Sequence, residues 1–327
     1  MKYWLLSLVL AVSAVAAPSN ILNVSYDVTR EFYQEYNTLF AGAYQVKHGI
    51  TPTVDLSNGG SSKQARAVID GLEADVVTMN QETDIDAIVQ AGLIDSDWKS
   101  RLPNNSAPYT STIVFLVRKG NPKAIRDWGD LVAPGVSVIV PNPKTSGNGR
   151  YSYLAAWAYA KLRPASGEAA AEQFVRALFR NVPVLETGGR AATNTFVQKE
   201  IGDVLLTFES EVLQITKVFS PDKFDVIYPP VSILVEAPVS VVDKVVDRRG
   251  TRQLATDYLE YLWSDEGQKL AVRSYFRPRS EKLLAESADL FPKITLVSVD
   301  DVFGGWEAAQ KAHFTDGGFF DQIYQAK

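Results

Sequence analysis

The stretch TVDLSNGGSSKQARAVIDGLEADVVT, residues 53–78, decides the fold class. Residues 53–56 read as a short strand. Residues 57–63, SNGGSSK, form a glycine-rich turn, and residues 62–72 carry the apolar spacing of a helix. Residues 74–78, ADVVT, read as a further strand. A strand, a tight turn, a helix and a strand in succession imply a crossover between parallel strands. Upstream, residues 21–25 predict a strand, and residues 30–45 predict a helix with Phe32, Tyr36, Leu39, Phe40 and Ala43 on one stripe. The order is therefore β-α-β-α-β, which builds a parallel sheet with helices on its faces.

Working outward, residues 110–118 predict a long β-rich strand, bracketed by Pro103 and Pro108 before it and by Gly120 and Pro122 after it. A second α/β block follows. It has strands at 136–140, 182–185 and 203–208, and helices at 151–162, 169–179 and 192–199. Residues 234–242 are apolar but contain Pro238, which suits a crossover strand at a sheet edge. Helices are predicted at 251–263, 266–275 and 306–314. The expected fold is α/β: a two-lobed clamshell, each lobe a mainly parallel sheet flanked by helices. Residues 17–112 with 236–327 form the first lobe and residues 113–235 the second, joined by two or more extended crossings.

Lys2, the apolar run at residues 3–15 and the small-x-small pattern Ala14-Val15-Ala16 predict a cleaved export signal ending at Ala16. The run is too short to span a bilayer. No cysteine follows it, so a lipid-anchored form is not expected, and the mature chain is placed in the periplasm. Absence of cysteine throughout means that stability rests on ordinary cores rather than disulfides. Formal net charge is −5, which argues against a nucleic-acid partner. The expected state is a monomer.

Three glycine-rich loops lie between a strand and a helix: SNGGSSK at 57–63, KTSGNGR at 144–150 and TGGRAA at 187–192. A helix N-terminus carries unpaired N–H groups and partial positive charge. Glycine lets an anion approach that backbone closely, and a serine hydroxyl adds a donor. One such loop is commonplace as a cap or turn, whereas three in the same context point to a small anion. None matches a nucleotide-binding signature.

Catalytic equipment is sparse. His48 and His313 are the two histidines, expected at the surface or at helix ends. Ligands for zinc are lacking, and no cofactor is expected. Glu209 and Glu211 alternate after a strand and read as solvated or hinge-facing carboxylates. Tyr151 and Tyr153 could serve as phenolate ligands for ferric ion, but their i, i+2 spacing puts them on different helix faces.

Several stretches, LNVSYD (22–27), NGGSSKQ (58–64), APYTST (107–112), RKGNPK (118–123), PNPKTSG (141–147), AAW (155–157), TNTF (193–196) and VFGGW (302–306), resemble the periplasmic sulfate/thiosulfate-binding proteins of bacterial ABC importers. The resemblance runs from about residue 21 to the C-terminus. It implies that a dehydrated dianion is held by neutral donors. These would be the Ser61 hydroxyl and N–H, the Ser146 hydroxyl, and the N–H groups of Gly147, Asn148 and Gly189. Asp27 would buttress the loops, and Arg150 and Arg190 would stand near them without touching the ligand. An inner-membrane permease would be the partner.

At Phe208 the chain departs from the sulfate-selective branch, whose tryptophan donates an indole N–H there. It is similar at this position, at Asn80-Gln81 and at residues 145–148 to the thiosulfate branch. The terminal sulfur of thiosulfate is larger and a poorer acceptor than oxygen, so an apolar ring suits it. Sulfate and thiosulfate are both expected as ligands. The alternatives are another tetrahedral oxyanion (molybdate, tungstate or phosphate) or an enzyme acting on a small anionic substrate.

Overall fold

The computed structural model describes residues 19–219 and 222–324. The expected export signal at residues 1–16 lies outside them. Strand β1 (Asn20–Tyr26) runs parallel to β2 (Thr53–Gly59) on one side and to β3 (Val76–Thr78) on the other. Helix α1 (Arg30–His48) connects β1 to β2, and α2 (Ser61–Ile69) connects β2 to β3. Helix α1 stops where Gly49 adopts φ 72°, a left-handed cap that glycine takes without Cβ strain. Phe32, Tyr33, Tyr36 and Phe40 form its buried stripe. A helix not foreseen, α3 (Glu82–Gln90), follows β3. Its apolar face is Ile85 and Ile88, both buried, with Val89 half-buried beside them.

The second sheet is built around one continuous strand, β4 (Tyr109–Arg118), every residue of which except the last is buried. Beyond it lie β5 (Val138–Pro141), β6 (Leu185–Glu186), β7 (Val204–Phe208), β8 (Phe224–Ile227) and β9 (Val231–Glu236). Strand β5 runs parallel to β6 and β7. Strand β4 runs antiparallel to β7, β8 and β9, so this sheet is mixed rather than mainly parallel. The reason is topological: the crossing segments enter and leave in opposite directions and pair with each other. Helix α4 (Gly147–Lys161) follows β5, α5 (Glu168–Arg180) follows α4, α6 (Gly189–Val197) follows β6, and α7 (Glu209–Gln214) follows β7.

Three segments join the two sheets. Strand β4 pairs Thr110, Ser111 and Thr112 with Glu236, Val235 and Leu234 of β9. The chain then passes Pro238 and joins the first sheet as β10 (Val239–Val241), antiparallel to β3. Pro238 is the break between the two strands foreseen as one. Strand β11 (Arg277–Pro278) pairs with Thr110 and Tyr109, and β12 (Thr295–Val297) pairs with β9. The C-terminal segment does not stay with the first lobe as expected. Residues 306–324 pack on α4 and α5, where Phe320 meets Phe179 and Phe314 meets Tyr153. Burying these aromatic rings against the second lobe draws the chain across.

His313, expected at the surface or at a helix end, lies at the end of the helical turn Gln310–Phe314 but is buried in this aromatic cluster. It is 4% exposed, its ring lies 4.5 Å from that of Trp157, and its Nδ1 is 3.1 Å from the Tyr153 hydroxyl. Burial holds the imidazole well below its usual range, at about 4. No helix among the described residues is long and apolar enough to cross a membrane.

Candidate functional site

The three glycine-rich loops meet. Gly60 and Ser61 open α2, Ser146 caps α4, and Gly188 precedes α6. A Cβ placed on Gly60 would lie 3.7 Å from the Thr145 carbonyl oxygen, so the first loop touches the second across the lobes. One on Gly189 would lie 3.0 Å from Asn148 Nδ2, so the second touches the third. One on Gly188 would lie 3.3 Å from Asp27 Oδ2, which brings the end of β1 to the same place. Ser61, Ser146, Gly147, Asn148 and Gly189 are all buried here.

Helix α4 begins four residues earlier than its apolar pattern suggests. Glycine disfavours helix interiors, so a run rich in it reads as loop. Here Ser146 supplies an N-cap, its Oγ accepting from the Gly149 N–H at 3.4 Å. Gly149 is required sterically: a Cβ there would stand 2.4 Å from the Pro141 carbonyl oxygen. The first-turn N–H groups of Gly147 and Asn148 have no carbonyl partner within the helix, as geometry dictates. On the other lobe, Ser61 Oγ accepts from the Asn80 N–H at 3.2 Å. Ser146 Oγ thus accepts from the backbone and keeps its own proton free to donate, whereas the Ser61 hydroxyl donates to the Met79 sulfur at 3.5 Å, a weak acceptor that an anion oxygen outcompetes.

Behind the loops runs a chain of neutral donors ending on a carboxylate. Asn148 Nδ2 donates to Thr207 Oγ1 at 2.7 Å, and Thr207 Oγ1 donates to Glu211 Oε2 at 2.8 Å. Thr193 Oγ1, from α6, donates to Glu211 Oε1 at 2.7 Å. Glu211 is therefore not solvated; it ties α4, β7 and α6 together. Burial pushes its carboxyl above the ordinary range, opposed by the threonine hydrogen bond and reinforced by the charge of Asp27. Glu209 is likewise buried, held by Arg277 through bonds of 2.6 and 2.8 Å at the crossing segments. The sequence signal for both was their place in the first turn of a helix, where acidic groups meet the dipole.

Asp27 accepts from the Arg190 N–H at 3.4 Å, and burial raises its carboxyl while Arg190 lowers it. The Arg190 guanidinium turns away to Glu31, at 3.3 Å. Arg150 is buried, with Nε donating to the Pro143 carbonyl at 3.0 Å and Nη1 3.5 Å from Ser62 Oγ. It braces the second loop and reaches toward the first. Beside it lies a cleft of 830 Å³, also lined by Ser62, Asp84, Glu307, Gln310 and Thr315. Phe208 is 2% exposed and sits edge-on to Tyr26 and Tyr151, with ring centroids 6.4 and 6.0 Å away. Its contacts are thus aromatic, and it joins the loops through the end of β1 and the start of α4. Tyr151 and Tyr153 diverge as their spacing implies, Tyr151 toward the Glu236 carbonyl and Tyr153 toward His313. Among the described residues, no group of three or more His, Cys, Asp or Glu side chains could hold a metal ion.

Two lobes, three crossing segments and converging helix N-termini define a solute-binding protein. The chain belongs to the bacterial extracellular solute-binding protein family, whose pattern matches residues 22–277. It is 58% identical over 312 residues to the thiosulfate-binding protein of Pseudomonas aeruginosa, covering 95% of this chain and 94% of that one. It is 53% identical over 316 residues to the sulfate-binding protein of Escherichia coli, covering 97% and 96%. Among solved structures, the sulfate-binding protein SubI from Mycobacterium tuberculosis superimposes with a TM-score of 0.82 at 32% identity, covering 90% of this chain and 99% of that one.

Proposed function

We propose that this protein captures sulfate and thiosulfate in the periplasm and delivers them to the permease of an ABC importer. The observation that carries this reading is the meeting of three helix N-termini from both lobes at one buried point, each opened by a glycine. The ligand's donors are the hydroxyl and N–H of Ser61, the hydroxyl of Ser146, and the N–H groups of Gly147, Asn148 and Gly189. Charge on the dianion is met by helix dipoles and oriented hydrogen bonds rather than by a cation. Asp27 and Arg190 hold the third loop, and Arg150 holds the second. Closure brings the first loop to the other two, so the permease can distinguish the loaded form. Lobe rotation takes place about the β4–β9 segment, near the 112/113 and 235/236 positions.

Thermal melts test this reading. Ligand at 100 times its Kd stabilises a protein by about 2.7 kcal/mol, so millimolar sulfate or thiosulfate should raise the melting temperature by several degrees. Trp306 lies 4.9 Å, edge-on, from Tyr151, so its fluorescence should report the same binding. No shift with either anion would refute the proposal.

A further inference from the structure

One polar side chain at the site has no place in the ligand set above. Asn80 follows β3, is 4% exposed, and its N–H already orients Ser61 by donating to Oγ at 3.2 Å. Its carboxamide lies against the other lobe, at the first residue of α4. A Cβ on Gly147 would stand 2.0 Å from Asn80 Oδ1 and 3.0 Å from Nδ2. Yet Oδ1 is buried with no hydrogen-bond partner among the described residues. A buried amide left unpaired is costly, and native proteins rarely retain one without a reason. The neighbouring Gln81 is buried too and its Oε1 is also without a partner, but its Nε2 donates to Asp84 Oδ1 at 3.0 Å. What sets Asn80 apart is that its unpaired oxygen stands against Gly147, where the two lobes meet.

We propose that the Asn80 carboxamide is a further direct ligand of the bound tetrahedral dianion, donating through its –NH2 group. This rests on the oxyanion reading above. An amide presents a carbonyl and an –NH2 in nearly identical shapes, and half a turn about its terminal bond exchanges them. A dianion at the N-terminus of α4 repels the carbonyl and attracts the –NH2, so the loaded site fixes the amide with nitrogen inward. The group is neutral, as are the other donors, and adds a hydrogen bond without a counter-charge. It also explains Gly147: any side chain there would drive the amide out. Phe208 places an aromatic ring against Tyr26 and Tyr151, where an indole would add a donor; Asn80 supplies a donor from the Ser61 and Gly147 side.

Calorimetric titration of the full chain with sodium sulfate and with sodium thiosulfate tests this, using wild type, Asn80→Leu and Asn80→Asp. Leucine keeps the volume and removes both polar ends. It should weaken both anions at least tenfold while leaving the ligand-free melting temperature within a few degrees. Aspartate places a carboxylate beside the dianion. It should weaken binding at least a hundredfold at pH 7.5, with affinity recovering toward pH 5 as that carboxyl protonates. Wild-type affinity should stay level over the same range. A loss below tenfold in Asn80→Leu would overturn the assignment, because a space-filling role survives that change. Should Asn80→Leu fold poorly, wild-type affinity in Asn80→Asp at pH 7.5 overturns it instead. If wild type binds neither anion, the oxyanion reading itself fails and takes this one with it. If wild type binds and the variants match it, Asn80 alone is excluded.

Discussion

Ser146→Asp separates the two duties of this residue. As an N-cap, Ser146 accepts from the Gly149 N–H at 3.4 Å, long for such a bond, so its capping contribution belongs at the low end, about 0.5 kcal/mol. Aspartate caps a helix as well as serine does and adds a favourable charge at the dipole's positive end. Stability without ligand should therefore hold within about 1 kcal/mol. Binding should not survive. Two unit charges about 4 Å apart repel by about 4 kcal/mol at the effective dielectric near a protein surface, and each charge of a dianion adds to this. Even half of the single-charge value lowers affinity by more than about tenfold, and the full value by about a thousandfold. Urea unfolding without ligand and calorimetry with sulfate measure the two effects separately. Ser146→Ala supplies the milder control, losing roughly 1.5–3 kcal/mol of binding as one charge-assisted hydrogen bond disappears. If Ser146→Asp folds normally and still binds sulfate as wild type does, the loop is only a cap and the anion sits elsewhere.

Phe208→Trp should shift preference toward sulfate by about tenfold, since an indole N–H favours oxygen over sulfur; parallel titrations with both anions give the ratio, and an unchanged ratio means that the ring does not face the ligand. Gly149→Ala should destabilise the fold by roughly 1–3 kcal/mol in urea unfolding, because the new methyl meets the backbone of Pro141, Asn142 and Pro143, at 2.4 to 2.8 Å. His313 stays neutral when folded down to about pH 4, whereas the unfolded chain protonates it near 6.5. The unfolded state then binds more protons, so this residue's contribution falls as pH drops from about 6.5 to 4, by roughly 3 kcal/mol in total. Buried Glu209 and Glu211, with raised carboxyl groups, act in the opposite direction, so the difference between wild type and His313→Asn across that range isolates the effect. A variant with the wild-type pH slope would exclude it.

Much of this was legible because it is local. Alternation and helical spacing placed β1, α1, β2, α2 and β4 within a few residues, since each has one face that must be buried. The glycine-rich loops stood out as candidate anion sites for the same reason: glycine before a helix has a simple local meaning. What escaped was set by tertiary contact. Helix α3 carries only a short signal, Ile85, Ile88 and Val89 at i, i+3 and i+4 among polar residues, which suffices once α2 lies against it. The first turn of α4 reads as loop because propensity argues against Gly147 and Gly149, and only the nearness of Asn80 and Pro141 explains them. Residue type alone makes Glu211 solvated or hinge-facing and His313 a surface or helix-end residue, without marking either as buried. Their burial depends on Thr193, Thr207, Tyr153 and Trp157, and the His313 pair brings together residues 160 apart in sequence. The C-terminal crossing was invisible for the same reason.

No carboxylate beside the loops is free to accept from a ligand: the Glu211 oxygens are taken up by Thr193 and Thr207, and Asp27 faces the Arg190 N–H, while a bound dianion turns the Asn80 carbonyl away. Sulfate and thiosulfate carry no proton at neutral pH, whereas phosphate keeps one, which such a site would bury unpaired at a cost of about 1–3 kcal/mol, more with several donors opposed. Calorimetric titration of the purified protein with sulfate, thiosulfate and phosphate at pH 7 tests this most directly. Sulfate and thiosulfate should both bind, each at least about a hundredfold tighter than phosphate, a gap of about 2.8 kcal/mol. Phosphate binding as tightly as sulfate would contradict this, because a carboxylate or the Asn80 carbonyl would then be accepting from the ligand.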